Sequence, residues 1–198
     1  MLAGGPIGAQ GDQSQVSQLL HITYVTLKPE TAPQWAMLQR DEQIPAQKKA
    51  GLPWRDTWAS AQSGDTYLRA IVTPVSSLSQ YDGANPLIKA LGESGTQALG
   101  DKMRRFIDSG QQMIIRTRPD LGYGARPARP TMAVLATVTV APARVAEFET
   151  LLKSEVAPAY KKANVSYYAV SQVVYGGDTN QYMTLVPVEN FAALAKGH

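Results

Sequence analysis

The chain has no cysteine, which excludes disulfides, thiolate metal sites and cysteine nucleophiles at once. It has two histidines in 198 residues, His21 and the terminal His198, too few for a histidine-rich metal centre. No apolar run approaches the roughly 18 residues that span a bilayer. Charge of either sign is never blocked. The net charge is +3, and the basic residues come as scattered pairs such as Lys48–Lys49, Arg104–Arg105 and Lys161–Lys162. A nucleic-acid footprint needs a clustered basic stripe interleaved with aromatics, so no nucleic acid and no membrane span is expected. No Ser–His–Asp arrangement, P-loop or dinucleotide fingerprint occurs.

What is present is a sentence written twice. VTLKPETAPQWAMLQRDEQIPAQKKAG from Val25 returns as VTVAPARVAEFETLLKSEVAPAYKKAN from Val138, and SGDT returns as GGDT. The displacement is constant: 138 − 25 is 113, and Pro187 against Pro74 is again 113. An internal period of this kind decides the fold before any local reading.

Each copy reads alike. Leu19–Leu27 (LLHITYVTL) alternates and is β-branched, so it predicts a strand with His21, Thr23, Val25 and Leu27 on one face and Ile22, Tyr24 and Thr26 on the other. A helix follows, clearest in the second copy, where Val145, Phe148, Leu151, Leu152, Val156 and Ala159 recur at 3–4 spacing. Pro45 and Pro158 are expected to bend or stop these helices, with Gly51 or Asn164 at the C′ position. WRDTWASA and YLRAIVTP, and YYAVSQVVY and QYMTLVP, then flank the Gly–Asp steps as hairpins. In the first copy NPLIKALGESGTQALGDKMRRFIDS adds a helix interrupted at Gly92 and Gly95, and QQMIIRTRP adds a strand.

The fold class is therefore α+β, two tandem β-α-β-β-α-β (ferredoxin-like) repeats. The expected boundaries are a disordered tail or signal-peptide remnant over 1–17, a first repeat over 18–124, a linker over 125–130 and a second repeat over 131–198 that lacks its last helix and strand. LAGGPIGAQ resembles the end of a signal peptide and leans the chain toward a periplasmic or secreted location. An incomplete second sheet leaves an open edge, through which a homo-oligomer is expected.

Paired units with the helix pattern F-x-x-L-L-x-x-E-x-x-P-x-x-K-K-A and the Gly–Asp hairpin resemble the dimeric α+β barrel superfamily, and within it bacterial tandem-repeat members. The resemblance implies that the two sheets form one pseudo-dimeric barrel. It also implies a wide spread of activities, from cofactor-free quinone-forming monooxygenases and lactone isomerases to haem proteins and stress-response proteins. Fold does not choose among them. A haem-binding member needs an axial ligand, for which His21 is the one internal candidate, and the Asn–Trp–His set of the haem-degrading branch has no match here. No cofactor and no metal is expected.

The copies differ most between Trp54 and Arg69. Trp54, Asp56, Trp58, Tyr67 and Arg69 are assigned to one sheet face, with Arg69 opposite Trp58 or Ser60 and a cation–π contact in reach; their counterparts are Tyr167, Ala169, Ser171, Asn180 and Tyr182. Facing a barrel interior, that set makes a flat apolar slot with a cationic anchor for a small aromatic or carboxylated molecule. Other readings of the chain are a non-catalytic envelope or interaction scaffold, and a cofactor-independent monooxygenase or isomerase using His21, Tyr24 or Asp56. No catalytic residue is assigned. Glu42 and Glu155 share one helix position and are expected on a nearly buried face, paired with the lysines that follow.

Overall fold

The computed structural model describes residues 16–127 and 130–196, so all but the end of the expected tail, and the middle of the expected linker, lie outside the described residues. The chain divides into two compact units, with the boundaries inside two strands. One unit holds His21–Gln112; the other holds the described residues from Met113 onward and those before His21.

In the first unit, β1 (Leu19–Leu27) leads to α1 (Ala32–Leu38), a π-helical turn (Gln39–Gln43), α2 (Ile44–Lys49), β2 (Asp56–Ala59), β3 (Leu68–Val75), α3 (Pro86–Phe106) and β4 (Ile107–Thr117). The strand order is β2-β3-β1-β4. Alternation along β1 puts Val25 and Leu27 under Trp35 of α1, joined by Tyr67, Ile71, Phe106 and Ile107. Leu38, Ala46 and Leu99 then close the helices on one another. This is one apolar layer with the helices on a single sheet face.

α3 opens on Pro86, with Asn85 Oδ1 accepting from the Leu87 N–H at 2.9 Å, a good N-cap. It kinks at Gly92, whose φ is 72°. The helix ends three residues before Ser109, where the sequence pattern extends it. Ile107 instead joins the Trp35 cluster, and Gly110 lies so near the Tyr24 carbonyl that a Cβ would sit 3.3 Å from it. A bare backbone at Gly110 lets β4 approach β1.

Neither Pro45 nor Pro158 stops its helix. A proline in a regular α-helix removes one N–H and presses its ring on the carbonyl four residues back. Here one turn widens: the Ile44 N–H reaches the Gln39 carbonyl and the Ala157 N–H reaches that of Leu152, five residues back in each case. The helix then runs on to Lys49 or Lys162. It ends on Gly51 or Asn164 at φ 87° and 60°, as the C′ reading expects.

The second unit takes in the end of β4, then β5 (Met132–Thr139), α4 (Val145–Leu151), a π-helical turn (Leu152–Val156), α5 (Ala157–Lys162), β6 (Ala169–Tyr175), β7 (Gln181–Val188) and α6 (Phe191–Lys196). Its order is β4-β6-β7-β5, with Ile115 opposite Val173 and Arg116 opposite Gln172. Tyr182, Tyr168, Leu121 and Leu152 centre its core. The element bounds keep the sequence offset: α4 starts 145 − 32 = 113 residues after α1, α5 starts 157 − 44 = 113 after α2, and β7 starts 181 − 68 = 113 after β3. β5 ends the strand order, and Val134, Leu135 and Val138 on it are exposed. Among the described residues no helix is long and apolar enough to cross a membrane.

Candidate functional site

The pairing of β2 with β3 decides which predicted site residues can meet. Asp56 faces Val72, Thr57 faces Ile71, Trp58 faces Ala70, and Ala59 faces Arg69. Directly opposed residues share a sheet face. Trp58 and Asp56 therefore lie on one face, and Arg69 lies on the other with Thr57 and Ile71. The expected single face splits in two, and Arg69 stands opposite Ala59 rather than Trp58 or Ser60.

Tyr67 and Ile71 pack against Val25, Leu27 and Trp35, so the Tyr67–Arg69 face is the helix-covered one. Arg69 Nη1 donates to the carbonyls of Thr66 and Leu68, both at 2.8 Å, and burial holds its pKa below the usual value. His21 shares this side by alternation along β1. Its ring meets Tyr81 edge-on at 6.2 Å. Burial lowers its pKa, opposed by a hydrogen bond with Gln112.

The helix-free face collects Trp54, Asp56 and Trp58 from the β2 segment and Ile22, Tyr24 and Thr26 from β1. Trp54, Asp56, Trp58 and Tyr24 are half-buried and Ile22 is buried. Burial raises the Tyr24 phenol above its ordinary pKa, so Tyr24 keeps its proton at neutral pH. Of the seven predicted residues, Trp54, Asp56, Trp58 and Tyr24 share a face; His21, Tyr67 and Arg69 share the opposite one. In the second unit the position of Trp54 is held by Tyr167, whose phenol is likewise raised by burial and drawn down by the charge of Arg126.

The Gly–Asp steps act as turn chemistry. Asp65 Oδ1 accepts from the Tyr67 N–H at 2.8 Å, and Asp178 Oδ1 from the Asn180 N–H at 2.8 Å, the usual Asx contact two residues on. Glu42 is exposed and pairs with Lys102 of α3 at 2.6 Å, not with Lys48 or Lys49; Glu155 is exposed too. The wide π turn moves this helix position off the buried face.

Two polar clusters escaped the sequence reading. In the second unit Glu149 accepts from both Arg118 terminal nitrogens at 2.5 and 2.9 Å and from the Tyr182 hydroxyl at 2.7 Å. In the first, Arg55 is buried, donating to Gln39 Oε1 at 2.5 Å and Gln47 Oε1 at 2.9 Å. The available signal was the second copy, where these three positions are Tyr168, Leu152 and Tyr160. Among the described residues no group of three His, Cys, Asp or Glu side chains is placed to hold a metal ion.

Solved structures resemble most of the chain. A protein of Lactobacillus acidophilus described as a "putative monooxygenase" superposes with a TM-score of 0.58 at 8% identity, over 92% of this chain and 81% of its own. One from Fusobacterium nucleatum with the same description gives 0.60 at 12% over 92% and 80%. An "anthrone oxidase-like protein" gives 0.60 at 12% over 92% and 78%. The fold shared with these structures is α+β, antiparallel strands with helices. At these identities the likeness concerns fold alone. No protein-family model and no curated protein matches the chain.

Proposed function

We propose that the chain is two tandem ferredoxin-like copies, and that the helix-free face of the first copy binds a small hydroxyaromatic molecule. One observation carries the ligand: that face collects two indoles, a phenol and a carboxylate while the helices cover the other side. Flat rings offer stacking area at little entropic cost, and Asp56 offers an acceptor for a ligand hydroxyl. With Arg69 on the opposite face, the cationic anchor expected for a carboxylated ligand is lost, so the aromatic class is the one supported. The tandem reading is supported by the 113-residue offset shared by sequence and element bounds.

A second reading is cofactor-independent oxygenation on the same face, favoured by the descriptions carried by the structural neighbours. Asp56 would then take the acidic proton of a bound anthrone; dioxygen would supply one atom to the new quinone carbonyl, the other leaving as water with two substrate hydrogens. Oxygen uptake with anthrone tests this. Stoichiometric uptake that Asp56→Asn reduces at least about a hundredfold supports catalysis. Binding without uptake leaves the binding reading alone, and neither binding nor uptake makes the fold a scaffold.

A further inference from the structure

Among the described residues, the apolar layer beneath the helices of the first unit contains a cation with no acidic partner. Arg55 is 7% exposed and its hydrogen-bond acceptors are two neutral amides, Gln39 and Gln47. Its Nε–H is buried without a partner. Gln39 is itself committed, its amide nitrogen donating to Met103 Sδ at 3.0 Å. No described acidic side chain forms an ion pair with Arg55, and burial alone brings its pKa down to about 10. A buried charge left unpaired is costly enough that folded proteins rarely keep one.

A second orphan donor belongs to the same layer. The Trp35 indole N–H is buried without a partner, and Trp35 stands one helical turn before Gln39, on the same helix face. Indole N–H and guanidinium Nε–H can only donate. Two buried donors in one layer both ask for an acceptor, and one of them asks for negative charge.

The repeat supplies an internal control. At the equivalent positions (152 − 39, 160 − 47 and 168 − 55 are each 113) stand Leu152, Tyr160 and Tyr168. There the layer is closed by apolar packing, with Tyr160 stacked on Tyr168 at 4.9 Å. The fold does not need a cation here. One copy fills the space with rings, whereas the other carries an arginine and two glutamines.

We infer that the first unit holds a small carboxylate in this layer, seated on the Nε edge of Arg55 and within reach of the Trp35 indole N–H. A carboxylate fits because the guanidinium fork matches its two oxygens side-on, and because a singly charged anion neutralises one arginine without adding a further buried charge. The site lies on the helix-covered side and is independent of the aromatic face proposed above.

The test uses the full chain, exchanged into buffer free of carboxylates and phosphate. Sodium formate and sodium acetate are titrated against sodium perchlorate at matched ionic strength, following the thermal midpoint and the ¹⁵N–¹H signal of the Arg55 Nε–H. A saturable rise of roughly 5–10 °C at hundredfold excess over Kd, with a shift of that signal, is expected for formate or acetate. Arg55→Met strands both glutamines and risks unfolding, so the deciding variant is Gln39→Leu/Gln47→Tyr/Arg55→Tyr, which installs the other copy's trio. It should fold and lose the response. An equal response to perchlorate, no saturable response from wild type, or a full response in the triple variant overturns the inference.

Discussion

Glu149 gathers three donor contacts from a side chain only 23% exposed. The hydrogen bond from Arg118 is the main cause of its lowered pKa. The neighbouring Tyr182 is fully buried, and burial before the Glu149 contact pushes its phenol up to about 12. Removing that hydroxyl as Tyr182→Phe leaves a part-buried carboxylate oxygen short of one donor, and should cost about 1–2 kcal/mol in urea denaturation with an unchanged m-value. The pH dependence follows from the sign. A carboxylate whose folded pKa is depressed contributes stability above its ordinary value of 4.5 and loses it as pH falls through the lowered one. Glu149→Gln should therefore flatten the acid limb of a stability profile below that pH. His21 acts at a higher window: burial depresses its folded pKa, so the unfolded chain binds the proton first below the ordinary 6.5. Stability falls on acidification there, and the His21 ring should titrate by NMR with a midpoint under 6.5.

Among the elements, those whose pattern repeats were legible and those set by strand register were not. The helix after the first strand of each copy, its C′ residue and the Asp-led turn were readable because each is local and each was written twice. The β2–β3 register was not. The eight residues 60–67 separate the strands, and such a loop leaves register open by one. Placing Arg69 one residue to either side of Ala59 moved it to the wrong face and grouped it with the indoles. The Arg55 cluster was hidden for a different reason: Gln39, Gln47 and Arg55 come from three separate segments and each reads alone as a solvent residue. Only the rings and leucine 113 residues later mark those positions as core. A further element-scale feature is the approach to β6, where Tyr123 bridges Tyr168. Gly124 has φ 84°, and an added Cβ would collide with the Ser166 carbonyl. Gly124→Ala should lower stability by more than about 1 kcal/mol in chemical denaturation.

At the scale of the whole molecule, the β5 edge and the aromatic face each carry a test. β5 ends its strand order with Leu135 50% exposed and Val134 and Val138 beside it, an apolar edge of the kind that pairs with another chain. If a second copy uses it, sedimentation should show concentration-dependent self-association that Leu135→Lys removes. Binding at the aromatic face of the first unit is read by isothermal titration with 1-naphthol. Saturable one-to-one binding is expected, weakened at least about tenfold by Trp58→Ala, the equivalent of losing roughly 1.4 kcal/mol. Arg69→Ala, on the other side of the sheet, should leave the affinity within about twofold. Absence of binding to the wild-type chain, or equal weakening by Arg69→Ala, would contradict it.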